Sequence, residues 1–363
     1  MKIGIDVSQM CYEGTGVARY VHDLSQALLQ VGQGQHEIIF FAGALRQRAF
    51  FTRLMTELPW SAATWKIVPL PPKIARIVFG ILPIKIESFT GYLDIFHASD
   101  WSQPNTLAPS VTTVHDLVFK KYPDTVDPLI RGSQERRLEK IVSQGIHLIA
   151  DSKSTKNDLM EIYHLPSTQI DVVYPGIDSS YSPQSNKEIE RVKTKYKLPD
   201  QYLLAVGTQE PRKNLTRLKE AVSGLDLPLV LTGKYGWGDQ ESLTTPGVIS
   251  TGYVPDSDLP ALYSGASVFV YPSLYEGFGF PVLEAMACGT PVVVSNVSSL
   301  PEVAGSAAIL IDPLSIESIR QGIKLALASH DKLVKLGLNQ AKQFTWEATA
   351  QQVLKVYDKT INH

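Results

Sequence analysis

The sequence predicts an α/β protein made of two Rossmann-like, doubly wound domains. Short apolar runs suited to buried parallel strands recur along the whole chain, and helical patterns lie between many of them. The alternation occurs twice, on either side of a polar stretch. At 363 residues the chain is long enough for each half to bury its own core.

In the first half the strand-like runs are Ile3–Val7, Glu37–Phe41, Lys66–Val68, Ile95–His97, Val111–Val114, His147–Ala150 and Asp171–Val173. In the second they are Tyr202–Val206, Pro228–Leu231, Val248–Ser250, Val268–Val270, Pro291–Val294 and Ala308–Ile311. Helical spacing marks Val17–Leu29, Ser152–Tyr163, Asn214–Val222 and Ser315–Ala328. Ser179–Asp200 is polar, carries Pro183 and has no strand of its own, so it reads as the linker. The expected division is therefore 1–182 and 183–345, with an amphipathic helix, Trp346–Ile361, in a tail 346–363 that crosses back to the first domain.

The composition, 44% hydrophobic and 19% charged with a net charge of -2, carries no polyelectrolyte signature, and nucleic acid is not an expected partner. Cys11 and Cys288 lack metal-ligand spacing and read as reduced, buried thiols. With no secretory signal pattern and no run of ~18 apolar residues, the expected location is cytoplasmic. Pro72–Ile86 mixes apolar residues with Lys73, Arg76 and Lys85. It reads either as a basic amphipathic element in peripheral contact with the inner face of a membrane or as a core-packed helix with solvated charges.

Ligands of open α/β sheets bind beyond the carboxyl ends of the strands, so the residues following each strand are the candidates. Gly14-Thr15-Gly16 opens a helix after the first strand, where the backbone can approach a phosphate. A dehydrogenase fingerprint would need a third glycine at Arg19 and an acid ending the second strand, and neither is present. His115-Asp116 ends Val111–Val114; the imidazole can donate to a sugar hydroxyl, or Asp116 can simply cap a turn. Gly207-Thr208 ends Tyr202–Val206 and leads to Arg212-Lys213, two cations suited to a diphosphate or a solvated basic turn. In Tyr271–Ala285 a glycine loop carries Glu276, Phe278 and Gly279, then Phe280, Pro281 and Val282 lead into a helix with Glu284 expected in its first turn. Carboxylates for hydroxyls, cations for phosphate and a helix start for oxyanions describe a nucleotide-sugar site.

These segments resemble the retaining GT-B glycosyltransferases of glycosyltransferase family 4, also called group 1. The carriers are Glu276-x7-Glu284 within EGFGFPVLEAMACGTPVV, with Gly14-Thr15-Gly16, His115-Asp116, Val173–Asp178 and Glu210–Asn214 in the family's order. The resemblance implies a GT-B fold, two Rossmann-like domains facing across a cleft, and a mannosyltransferase-like hexosyl transfer in polysaccharide biosynthesis. GDP-mannose or UDP-glucose type sugars would be donors, and a glycan or lipid-linked glycan the acceptor. Glu276 would contact donor-sugar hydroxyls, helped by the backbone around Phe278 and Gly279, and Glu284 the ribose. Arg212 and Lys213 would stabilise the leaving diphosphate, aided by amides at Gly16 and near Val282. His115 would bond the donor sugar near the reacting carbon, and the backbone around Val254 would read the base. Many members carry an arginine where Thr208 stands, so here Arg212 would supply that charge.

No metal or other cofactor is expected. Asp256-Ser257-Asp258 forms a D-x-D triplet, but it precedes Leu259–Ser264 and reads as a helix cap. A sugar-nucleotide epimerase of the same fold, or a glycan-binding relic of it, are the alternatives.

Overall fold

The computed structural model describes residues 1–12, 14–70, 82, 84–98, 100–234 and 246–362. Most of Pro72–Ile86, including Lys73 and Arg76, lies outside the described residues. The chain divides into two compact units, Met1–Gly176 with Thr345–His363, and Ile177–Phe344.

The first unit holds a seven-stranded sheet: β1 Lys2–Asp6, β2 Glu37–Gly43, β3 Thr64–Val68, β4 Ile95–Ala98, β5 Ser110–Val114, β6 His147–Ala150 and β7 Ile170–Val172. The order is β3-β2-β1-β4-β5-β6-β7 with every pair parallel. Strands β4 and β5 are buried along their whole length, and their polar side chains His97, Thr112 and Thr113 are buried with hydrogen-bond partners. Chain order reverses between β1 and β4, the switch point that opens a crevice at the carboxyl ends. The helix Trp346–Ile361 belongs to this unit and packs on Gly16–Val31. Its Tyr357 hydroxyl lies 2.7 Å from His97 Nδ1, and the other ring nitrogen is 3.0 Å from Thr113 Oγ1. Burial pushes His97 down to about 3, so it is a neutral core residue. Gly176 is required where Thr345 and Trp346 pass: a Cβ there would lie 2.2 Å from the Trp346 nitrogen.

The second unit holds β8 Leu203–Val206, β9 Leu229–Thr232, β10 Val248–Gly252, β11 Val268–Tyr271, β12 Val292–Ser295 and β13 Ala308–Ile311. Their order is β10-β9-β8-β11-β12-β13, again parallel, with the reversal between β8 and β11. Leu203, Val268, Val293, Ile319 and Ile323 are central to its core.

The structure corrects three local readings. The stretch Ser179–Asp200 is not bare linker, because Asn186–Tyr196 forms a helix that buries Val192. Asp258 does not cap Leu259–Ser264 with its side chain. It is buried and instead accepts from Arg191 at 2.8 Å, Lys195 at 2.6 Å and Tyr196 at 2.8 Å, tying that helix down. Burial raises the Asp258 carboxyl, but the bonds from Lys195, Arg191 and Tyr196 outweigh it and hold it at about 2. Neither thiol is in a disulfide, yet Cys11 is only partly buried and donates to the Ser8 carbonyl at 3.3 Å.

Candidate active site

The chemistry-bearing residues of the second unit converge beyond the carboxyl ends of β8 and β11. After β8 the chain turns at Gly207, where φ is 142°, and Gly207 lies against Gly233 at the end of β9. A Cβ on Gly233, whose φ is 141°, would sit 2.0 Å from the Gly207 carbonyl oxygen, so this approach is open only to glycine. Thr208 is exposed beyond it. A short 3-10 turn, Pro211–Lys213, then presents the two cations, and Asn214 at φ 58° ends it. The Asn214 amide donates to the carbonyls of Pro272 at 3.1 Å and Pro313 at 2.6 Å. The Leu274 N–H donates to the Arg212 carbonyl at 2.8 Å, which joins the loop after β8 to the loop after β11.

Residues after β12 fix the Glu276 loop. The Glu276 N–H donates to Ser298 Oγ at 3.0 Å, and Ser299 Oγ lies 2.9 Å from the carbonyl oxygens of both Glu276 and Phe278. Gly279 takes φ 106° and starts the helix Phe280–Ala287, which has no side-chain cap and carries Pro281 in its first turn. Val282 is buried at this start, and a Cβ on Gly279 would meet Leu300 at 2.8 Å.

At the centre Glu276, 7% exposed, accepts from Lys213 Nζ at 2.7 Å with one oxygen and from Arg212 Nη1 at 2.7 Å with the other. Arg212 Nε reaches Glu210 at 2.7 Å. Lys213 also donates to the Tyr271 hydroxyl at 2.6 Å and lies 4.8 Å from the centre of that ring. Burial alone would raise the Glu276 carboxyl, but the Arg212 and Lys213 charges outweigh it and hold it at about 2. Burial and then the Arg212 charge lower the Lys213 amine, against the pull of Glu276. Two cations and two carboxylates form a compensated cluster, so a diphosphate would compete with Glu276 for both cations.

Glu284 is the fifth residue of Phe280–Ala287, past the first turn where the sequence reading put it. It is buried, accepts from the Tyr263 hydroxyl at 2.8 Å, and helps burial push Cys288 up to about 12. It is therefore not a helix-end charge. Val254 follows β10 and is buried, while its neighbour Tyr253 lies half exposed under Lys234.

In the first unit, Thr15 caps Gly16–Val31 by accepting from the Ala18 N–H at 3.2 Å, and Gly14, Thr15 and Gly16 are all exposed. His115 Nδ1 lies 2.7 Å from Asp151, which follows β6 as His115 follows β5. Burial would lower the imidazole, but the Asp151 carboxylate raises it to about 9. Asp116 accepts from the Val118 N–H at 3.0 Å, the local turn role weighed above. Sequence reasoning quoted Glu210 and Tyr271 without giving them a role, and missed Ser298, Ser299, Gly233 and Asp151. The strand-end rule alone would have flagged Gly233 and Asp151.

The fold and the site together define a two-domain α/β protein of GT-B architecture. Sucrose-phosphate synthase from Thermosynechococcus elongatus superposes over 99% of this chain and 98% of its own, with a TM-score of 0.76 at 20% identity. The model of the glycosyltransferase family 4 matches residues 14–181, and that of the glycosyl transferases group 1 matches 186–343. O-antigen chain mannosyltransferase B of Escherichia coli is 38% identical over 280 residues, 72% of this chain and 74% of that protein. Serotype-specific mannosyltransferase WbdA of Escherichia coli is 30% identical over 310 residues, 79% of this chain but only 38% of that longer protein. The chain belongs to glycosyltransferase family 4, the group 1 glycosyl transferases.

Proposed function

We propose that the protein transfers a hexose, with retention at the anomeric carbon, from a nucleotide-diphosphate sugar to a glycan or lipid-linked glycan in polysaccharide biosynthesis. The observation that carries the reading is the buried Glu276 held between Lys213 and Arg212. Phosphate oxygens arriving at the two cations release the Glu276 oxygens to the donor's sugar hydroxyls. The same cations then stabilise the charge that grows on the departing diphosphate. The uncapped start of Phe280–Ala287 adds backbone amides for the anion, and Glu284 takes the ribose hydroxyls in place of Tyr263. Within the first unit, His115 is held charged by Asp151 and can donate to a sugar hydroxyl. Mannosyl transfer from a GDP-mannose type donor is favoured over UDP-glucose types by the mannosyltransferase relatives.

Thermal unfolding with GDP, UDP and ADP in turn, without metal, tests the donor assignment. A nucleotide at about 100 times its Kd stabilises by roughly 2.7 kcal/mol. A shift with GDP that Glu284→Gln abolishes is expected; no shift with any base would sink the reading. Transfer is expected to proceed in EDTA, and a requirement for divalent metal would show otherwise. The proposed location is the cytoplasmic face of the membrane, and failure to sediment with anionic liposomes would remove the membrane part.

A further inference from the structure

The switch point of the first sheet carries a feature that the reactions above do not use. The loops that leave β1 and β4 there bring Tyr12 and Trp101 together, ring centroids 4.4 Å apart and planes inclined by 51°. Trp101 is 45% exposed, although residues 100–102 of its loop are held by hydrogen bonds.

Three successive residues of that loop are pinned. Asp100 accepts from Arg137 at 3.0 Å and from Gln134 at 3.0 Å. The amide oxygen of buried Gln9, oriented by this network, accepts from Trp101 Nε1–H at 2.6 Å and from its backbone N–H at 3.3 Å. Ser102 Oγ lies 3.4 Å from one oxygen of buried Asp6, whose other oxygen accepts from the Ser8 N–H at 3.0 Å. Asp6 and Gln9 therefore clamp the two loops together. Since the indole N–H is already bonded to Gln9, much of the exposed area of Trp101 is apolar ring. A rigid aromatic held in water at a strand switch point is costly as packing and effective as a surface for a ligand.

We propose that Tyr12 and Trp101 form a stacking platform for a pyranose ring of the acceptor glycan, an inference that rests on the transfer reading above. The negative face of an aromatic ring attracts the C–H face of a sugar, and the neighbouring hydroxyls and carboxylates bond its hydroxyl edge. A nucleobase could also stack, but it brings a diphosphate. Among the described residues the clamp carries the charges of Asp6, Asp100 and Arg137; Arg137 is committed to Asp100, and His115, whose charge Asp100 supports, is committed to Asp151. This setting favours a neutral polyhydroxyl chain.

The test is an indole 1H–15N titration of the full chain with manno-, gluco- and galacto-oligosaccharides, and separately with GDP and UDP. Of the five tryptophans, the Trp101 signal is assigned by its loss in Trp101→Phe. Saturable shifts of that signal with one oligosaccharide and not with nucleotide are expected. Trp101→Ala should raise the acceptor KM about tenfold while donor KM moves less than about twofold, with Trp101→Phe recovering most of the loss. Should Trp101→Ala not fold, Tyr12→Ala is expected to raise acceptor KM alone. Silence towards every oligosaccharide, or a shift with nucleotide, overturns the platform. If the indole answers to a glycan while no donor supports transfer, the platform stands and the transfer reading falls.

Discussion

At the scale of single residues the site is a set of compensated charges, and each is exposed by removing its partner. Lys213→Ala should lower kcat by roughly 10²–10³ while the nucleotide Kd changes only a few-fold, because its charge matters most as the leaving group departs. Parallel turnover and calorimetric measurements check this, and equal losses in both would remove that role from Lys213. His115 allows a prediction by pH. Its pKa lies at about 9 in the folded protein, above the ordinary 6.5. The stabilisation from the His115–Asp151 pair is therefore full below 6.5 and is lost as pH rises through 9. The Tm gap between the protein and Asp151→Asn should accordingly close between pH 7 and pH 10, and a constant gap would contradict the charged pair. Arg212, Lys213 and Glu276 were legible because strand ends in parallel sheets are where ligands bind. The counter-ion of His115 was not. Asp151 lies 36 residues from His115, and pairing at that distance leaves no spacing signal.

At the scale of elements, glycines and buried carboxylates do the joining. Gly233→Ala combines an unfavourable φ with a clash against the Gly207 carbonyl, and should cost ~3 kcal/mol in urea unfolding. A cost near zero would mean that the β8 and β9 ends separate freely. Asp258→Asn weakens the bonds from Arg191 and Lys195, both about half exposed, so about 1–2 kcal/mol is expected. The sharper readout is amide exchange, where protection across Asn186–Tyr196 should fall first. That helix was hidden in the sequence because it buries little beyond Val192 and is otherwise charged, which reads as linker. Most strands among the described residues were visible for the opposite reason: they are short apolar runs between turn residues.

At the scale of the molecule, the two sheets are separate cores, so calorimetry should resolve two transitions. Nucleotide should raise the transition of the unit that carries Lys213 and Glu276, and a single transition shifted as a whole would show the cores to be energetically coupled. The fold class was readable from the alternation alone. The family was readable because its longest signature lies on one loop and one helix.

The discontinuity of the first unit has a consequence for how the protein is made. Its sheet is synthesised first, but the helix that carries Tyr357 to His97 leaves the ribosome only after Ile177–Phe344 has been completed. The usual order, in which an amino-terminal domain folds before its successor, is then reversed. The middle segment can close its own core while the first sheet waits, with His97 and Gly176 still uncovered, for Thr345–Ile361 to dock. A stretch made after the second unit is thus the keystone of the first.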